Sequence, residues 1–325
     1  MSNQVASDKL TKSEQRTKKV AHFVSEYGIL LALLLMVVIL TMLSPNFLTS
    51  SNLLNLFRQV SINAVLAIGM TFVILTKGID LSVGSILALS GIVAASLSVG
   101  PDSNLLLGII AGLAVGLLFG AINGVVVSKF KVTPFIATLG MMAIARGFTY
   151  IYSDGQPISG LSEPFLAIGS GSFLGMPIPV WIVIIAFIIC SIVLYKTKFG
   201  RYVYAVGGNE NATLTSGISV NKTLMSVYCI SGLLAGLAGV ILASRVSSGL
   251  PQAGVSYELD AIAAVVIGGT SLMGGRGRLW GTLVGALIIG VLNNGLDLLA
   301  VSSYWQQVIK GTIIIIAVLV DRKRS

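Results

Sequence analysis

Apolar runs of membrane-crossing length dominate this chain, and short polar or basic breaks divide them. Ten runs stand out, near 28–43, 59–76, 83–99, 105–128, 132–152, 179–195, 223–243, 258–272, 279–299 and 304–320. A membrane-crossing helix needs about 20 apolar residues, with a range of about 17–25, so the pattern predicts ten spans. The breaks predict the topology. Those at 1–27, Lys77, 129–131, 196–222, 276–278 and 321–325 hold 17 of the 21 Lys and Arg residues, and those at 100–104 and 153–178 hold none. Lys and Arg near span ends resist translocation, so the basic breaks and both termini are expected in the cytoplasm. That requires an even number of spans. Eight is the alternative, with the Gly-rich pieces around 78–85 and 268–277 re-entrant.

Composition narrows the class. Hydrophobic residues make up 55%, charged residues 10%, and mean hydropathy is +0.93, whereas a soluble domain carries about 25% charge. The expected fold is an all-α polytopic transmembrane helical bundle in the lipid bilayer. A net charge of +9 invites a nucleic-acid reading, but the cations sit at span ends rather than on one face, so no nucleic acid is expected. Cys190 and Cys229 lie inside apolar runs, which offers neither a disulfide framework nor a metal site. The basic start followed by Ile29–Leu43 imitates a signal peptide, yet SPNFLT follows without a small-residue cleavage site. An uncleaved first helix is expected. The domain plan is a cytoplasmic tail over 1–27, a transmembrane domain over 28–320, and a cytoplasmic tail over 321–325.

The fourth run carries Gly108, Gly112, Gly116, Gly120 and Gly124, a spacing of four that places them on one helix face. Small residues there admit a neighbouring helix closely, so Gly112, Gly116 and Gly120 are read as packing positions. Gly232, Gly236 and Gly239, and Gly281 with Gly285, suggest similar faces. A faint echo links GIDLSVGSILAL (78–89) to GVSYELDAIAAV (254–265). The first follows an inside turn and the second an outside loop, as an inverted repeat of five spans would give. The outside loop 153–178 is rich in Gly, Ser and Pro. It either packs over a pathway mouth, receives an extracytoplasmic partner, or is a plain surface loop.

No enzyme constellation appears. Gly-Lys is absent, so there is no phosphate loop, and the single His22 rules out the usual His-based triads. Ionisable residues near or within spans are Arg58, Lys77, Asp80, Arg146, Arg245, Glu258, Asp260, Asp297 and Lys310. Asp80, Glu258 and Asp260 are read as helix-start caps, since carboxylates favour helix N-termini. The span centres are nearly free of carboxylates, which argues against a proton- or sodium-driven carrier. Passage of a hydroxyl-rich solute would need hydroxyl-matching groups, and the candidates are Asn63, Ser82, Ser85, Asn123, Asn293 and Asn294, with rings from Phe72 and Phe135. Interhelical bonding is the competing reading for Asn293 and Asn294.

The segment 196–222 is a long polar, basic break between two apolar spans. A membrane hairpin needs only a few linking residues, so contact with a soluble cytoplasmic partner is expected. Within it, GNENATLTSGIS predicts one short helix, capped by Asn209 and stopped by Gly217 in a left-handed turn.

Several stretches together resemble the membrane permease of bacterial ABC sugar importers, most closely its ribose branch. They are LSPNFLTSSNLLN (43–55), ILTKGIDLSVGSILALSG (74–91), PFIATLGMMAIARG (134–147), GRYVYAVGGNENATLTSGISVNK (200–222), YELDAIAAVVIGGTSLMGGRGRLWGTLVGALI (257–288) and LNNGL (292–296). The resemblance implies a non-catalytic subunit of the bacterial inner membrane that imports ribose or a similar monosaccharide by alternating access. It implies a second permease copy, a cytoplasmic ATP-binding subunit that holds ATP and Mg, and a periplasmic sugar-binding protein. It also implies a docking helix of pattern E-A-A-x-x-x-G. Glu210, Ala212 and Gly217 match that pattern and Asn211 departs from it. Docking is therefore expected through Asn209, Glu210, Ala212, Leu214, Gly217 and Ile218. The alternatives are an ion-driven sugar carrier and an ABC permease for another sugar.

Overall fold

The computed structural model describes residues 12–324, with side chains from Gly28 to Leu319. The expected tails thus lie partly outside the described residues. In order, the elements are α1 (Lys12–Leu43), α2 (Ser50–Leu75), α3 (Val83–Ser96), α4 (Leu105–Ser128), α5 (Pro134–Ser153) and α6 (Glu163–Ser170). A hairpin of β1 (Ser172–Phe173) and β2 (Met176–Pro177) follows. The chain continues with α7 (Ile178–Lys196), α8 (Lys198–Gly208), α9 (Glu210–Thr215), α10 (Val220–Arg245), α11 (Tyr257–Ile267), α12 (Leu279–Leu298) and α13 (Ser303–Arg324). Six of these, α2, α4, α5, α7, α10 and α12, are long and apolar enough to cross a membrane.

Local chemistry starts the helices where the breaks predict. Thr49 caps α2 by accepting from Asn52 N, and Asn104 caps α4 by accepting from Leu106 N and Leu107 N. Pro134 opens α5, where its missing N–H costs nothing.

Two ends of the bundle are distinct. At one, Lys77 packs on Gly274, Lys131 meets Glu210 and Asn221, and Tyr204 bonds Gly277. All the described basic breaks between spans gather there. At the other, Val99 bridges Leu161 and Ile158 bridges Gly249. The described residues give six helices of crossing length and three shorter apolar stretches, Gly28–Leu43, Val83–Ser96 and Ser303–Leu319. Two of the apolar runs are only partly helical. At 1.5 Å per residue α3 and α11 reach only about 21 and 16 Å, short of the ~30 Å apolar core. Non-helical backbone precedes each, over 76–82 before α3 and 246–256 before α11. Such backbone is tolerated at membrane depth only inside protein, and Asp80, Ser82, Ser248 and Gly254 there are buried.

The packing has a two-fold character. α2 packs on α10 at the centre; α10 packs on α3 and α4, and α2 on α11 and α12. The pairs α3–α4 and α3–α5 are matched by α11–α12 and α11–α13. These matched pairs accord with the internal repeat that the echo between 78–89 and 254–265 suggests. The most extensive helix contact joins α4 and α10. A Cβ on Gly116 would overlap the Gly232 carbonyl, one on Gly232 would overlap the Gly116 carbonyl, and one on Gly120 would lie 2.9 Å from Gly232 Cα. Gly112 lies against Val240 of α10 and Ala94 of α3. The lipid-facing surface is covered by exposed aliphatic residues such as Leu34, Ile110, Ile151 and Ile189.

The loop over 153–178 is an ordered strap rather than a free loop. It carries α6 and the hairpin, buries Phe165 completely, and fits Gly169 against the Arg245 backbone. Ser244 Oγ holds it by donating to Phe165 O at 2.6 Å and accepting from Gly169 N at 2.7 Å.

Candidate functional site

Two places concentrate polar side chains: a junction in the middle of the bundle and a platform at its basic end. At the junction the N-termini of α3 and α11 meet. A Cβ on either Gly84 or Gly254 would overlap the other's carbonyl oxygen, and a Gly84 Cβ would lie 2.5 Å from the Glu258 carboxylate. Glu258 therefore sits over the first turn of α3, where exposed N–H groups favour an anion.

Asp80 is fully buried in the segment leading to α3. Its Oδ1 accepts from Ser82 N at 3.1 Å and from Ser82 Oγ, and its Oδ2 accepts from Ser231 Oγ at 2.9 Å. Asn123 Nδ2 donates to Ser82 Oγ at 2.8 Å. These donors replace the water a buried carboxylate loses, and they tie the segment to α4 and α10. Asp80 thus forms a local turn with Ser82 rather than the helix cap expected from sequence. The second half repeats the device. Asp260 Oδ2 accepts from Lys310 Nζ at 3.1 Å and from Asn293 Nδ2 at 3.3 Å. Arg146 holds the segment leading to α11 by donating to Pro251 O at 2.7 Å and Ala253 O at 2.8 Å.

The six residues proposed for sugar passage are all buried. Ser82 and Asn123 are brought together beside Asp80, and Asn293 joins Asp260. Asn294 exchanges two amide hydrogen bonds with Asn52 of α2, at 2.8 and 3.0 Å. Asn63 and Ser85 sit apart on α2 and α3. Phe72 stacks on Phe199 with ring centroids 6.4 Å apart, while Phe135 is half-exposed.

The platform is two helices where the polar break predicted one. α8 is keyed into the bundle by backbone contacts. A Cβ on Gly207 would overlap the Leu75 carbonyl, and Gly275 N donates to that same carbonyl at 2.9 Å. Gly274 and Gly275 have φ of +75° and +70°, a conformation glycine adopts without strain. Tyr204 Oη donates to Gly277 O at 2.9 Å, and Tyr195 Oη accepts from Leu279 N at 2.8 Å. One joint thus connects α8 with the end of α2 and the start of α12. Burial, reinforced by Tyr195, pushes the Tyr204 phenol above its usual range, so it stays a neutral donor. Tyr204→Phe should lower stability by about 1 kcal/mol; an unchanged thermal midpoint in detergent would show that this bond contributes nothing.

α9 is capped as its sequence predicts. Asn209 Oδ1 accepts from Ala212 N at 3.0 Å. At its end Ile218 N donates to Thr213 O and Gly217 N to Leu214 O, with Gly217 at φ +78°, the bond pair of a Schellman stop. Asn209, Glu210, Ala212 and Gly217 are exposed, Ile218 is half-buried, and Leu214 is 62% exposed. The Glu210–Lys131 pair, at 3.8 Å and solvent-exposed, adds little. The sequence reading missed Tyr204, Gly207 and Ser231, whose roles come from distant partners. The GG pair of GGRGR was the one local signal for the joint.

Several apolar helices of crossing length, short helices whose starts meet inside the bundle and a structured polar platform at one end define a polytopic membrane protein. The chain belongs to the family described as branched-chain amino acid transport system / permease component, which matches residues 52–318. It is 55% identical over 300 residues to the ribose import permease of Escherichia coli K12, covering 91% of this chain and 93% of that one. It is 54% identical over 321 residues to the ribose import permease of Bacillus subtilis 168, covering 97% and 99%. The D-allose transport system permease of Escherichia coli K12 is 43% identical over 311 residues, covering 95% of each chain. No solved structure matches the chain.

Proposed function

We propose that this chain is the non-catalytic membrane subunit of an ATP-driven importer carrying ribose, or a similar monosaccharide, from periplasm to cytoplasm. The observation that carries the reading is the end-to-end identity of 54–55% to ribose import permeases, against 43% to the allose protein. In this reading the basic end and both termini lie in the cytoplasm of a bacterial inner membrane, which the gathering of cations at that end supports. Two copies of the chain pair, a soluble ATPase holding ATP and Mg docks on α9, and a periplasmic sugar-binding protein meets the strap over 153–178.

In this reading Asn209, Glu210, Ala212, Leu214, Gly217 and Ile218 form the docking surface. Movement of α9 passes through α8 to the joint of Gly207, Leu75 and Gly275, and so to α2 and α12. The segments before α3 and α11 take up the change, because their backbone is not locked in helical bonds.

The stop at Gly217 tests the coupling. A β-branched residue at positive φ costs about 1–3 kcal/mol, and even the lower ~1–2 kcal/mol of that range shifts a two-state element about 5–30-fold. Gly217→Val should reduce ATP-dependent ribose uptake by that order in proteoliposomes while membrane levels hold. Gly217→Asn, which tolerates the left-handed region, should keep most uptake. Full uptake by the valine variant would remove α9 from the coupling route. Failure of the wild-type chain to co-purify with any ATPase, together with uptake driven by an ion gradient, would replace the whole reading with a secondary carrier.

A further inference from the structure

A cleft of about 420 Å³ opens on the lipid-facing side, between α7 and α10, with Phe72 of α2 at its inner end. It exists because α7 packs on α2 and α8 rather than on α10. Its walls include Ile182, Ile189 and Val193 of α7 and Ile230 and Leu237 of α10. They offer a sugar no hydroxyl partner, but they suit an acyl chain. The α7 wall runs straight to a cation. Ile182, Ile189 and Lys196 recur every seven residues and so share one helix face. Phe199 of α8 stacks on Phe72, itself a lining residue of the cleft, so the first turn of α8, which carries Lys198 and Arg201, begins beside that end of the cleft. All three cations are exposed, and among the described residues none pairs with a carboxylate. Glu210, the one acid in 196–222, faces Lys131 instead.

The geometry points to a binding site for an anionic phospholipid, with one acyl chain in the α7–α10 cleft and the headgroup phosphate on Lys196, Lys198 and Arg201. The chain fills a space that would otherwise leave aliphatic side chains without neighbours. The headgroup meets cations that each favour an anionic lipid by about fivefold. The site lies beside the two helices that α8 and α9 connect, so an occupied cleft braces the platform against the bundle. This inference does not depend on which solute the protein moves.

A second apolar cleft, between α4 and α5 and bounded by Phe148, Ile151 and Tyr152, supplies an internal reference. The test uses the full-length protein in phosphatidylcholine vesicles doped with a diazirine-acyl probe, carrying either a phosphatidylglycerol or a phosphatidylcholine headgroup. After illumination, labelled peptides are counted by mass spectrometry. The phosphatidylglycerol probe should label Ile182–Val193 and Ile230–Leu237 at least about fivefold more than the phosphatidylcholine probe. Labelling of the α4–α5 cleft should be the same for both. The Lys196→Gln, Lys198→Gln, Arg201→Gln triple variant should lose that preference with reference labelling intact. Equal labelling of the α7–α10 cleft by the two probes would overturn the proposal, as would a triple variant that keeps the preference. A misfolded triple variant would lose the reference labelling too, and the wild-type probe comparison then decides the matter alone.

Discussion

Gly232→Val is expected to prevent accumulation of folded protein, with a loss of more than about 4 kcal/mol. The helices α4 and α10 touch backbone to backbone at this point. The first side-chain carbon would overlap the Gly116 carbonyl and lie 2.6 Å from Gly120 Cα. Backbone atoms in two regular helices cannot turn aside as a side chain can, so the helices must separate. Separation loses close dispersion and Cα–H···O contacts along the whole crossing, beyond the ~1–3 kcal/mol of ordinary overpacking. In lipid no hydrophobic drive pushes them back together. Gly140→Ala is the matched control, because nothing lies within 4 Å of that position. It should be neutral or stabilising by up to about 1 kcal/mol. Thermal unfolding of the detergent-purified proteins measures both. A Gly232→Val protein that melts with the wild type would show that α4 and α10 do not cross at these glycines.

Lys310→Ala has the next largest expected effect. Lys310 Nζ lies 3.1 Å from Asp260 Oδ2, with the carboxylate side chain 5% and the lysine 23% exposed. Removing the cation leaves a buried carboxylate with Asn293 as its remaining side-chain donor, and breaking a buried pair costs about 3–5 kcal/mol. Partial exposure of the lysine places the expectation near the lower figure, about 3 kcal/mol. Replacing both partners by neutral side chains of similar size, Asp260→Asn with Lys310→Met, should recover most of the loss, since the pair must first overcome its own desolvation. A double-mutant cycle measures the coupling. Additive single effects would mean that the two charges do not interact in the folded protein.

Both effects arise where the chain meets itself at long range, and such places were only partly legible in sequence. The Gly112, Gly116 and Gly120 face could be read because a spacing of four fixes which residues share a helix surface. Its partner face on α10 could not be chosen among several Gly-rich runs. Asp80 looked like a helix cap because its neighbours in sequence allow that role. One carboxylate oxygen binds Ser82 just before the helix, while the other accepts from Ser231, 151 residues away, a partner that no local pattern announces. Likewise Asn294 bonds Asn52 across 242 residues, and no local pattern announces such a pair. The α9 stop was legible because an Asn cap and a Gly stop act within one or two turns of chain.

The sequence by itself determined the apolar runs, the gathering of cations in alternate breaks, the all-helical class and the capped platform helix. Each of these follows from interactions within a few residues or from the cost of moving charge across lipid. Only the tertiary structure decided that two apolar runs are only partly helical, that their helix starts meet at Gly84 and Gly254, and that α8 locks onto Leu75 and Gly275. Those outcomes depend on how closely distant backbones approach, and that distance is set by packing across the whole bundle, which no local stretch of residues encodes.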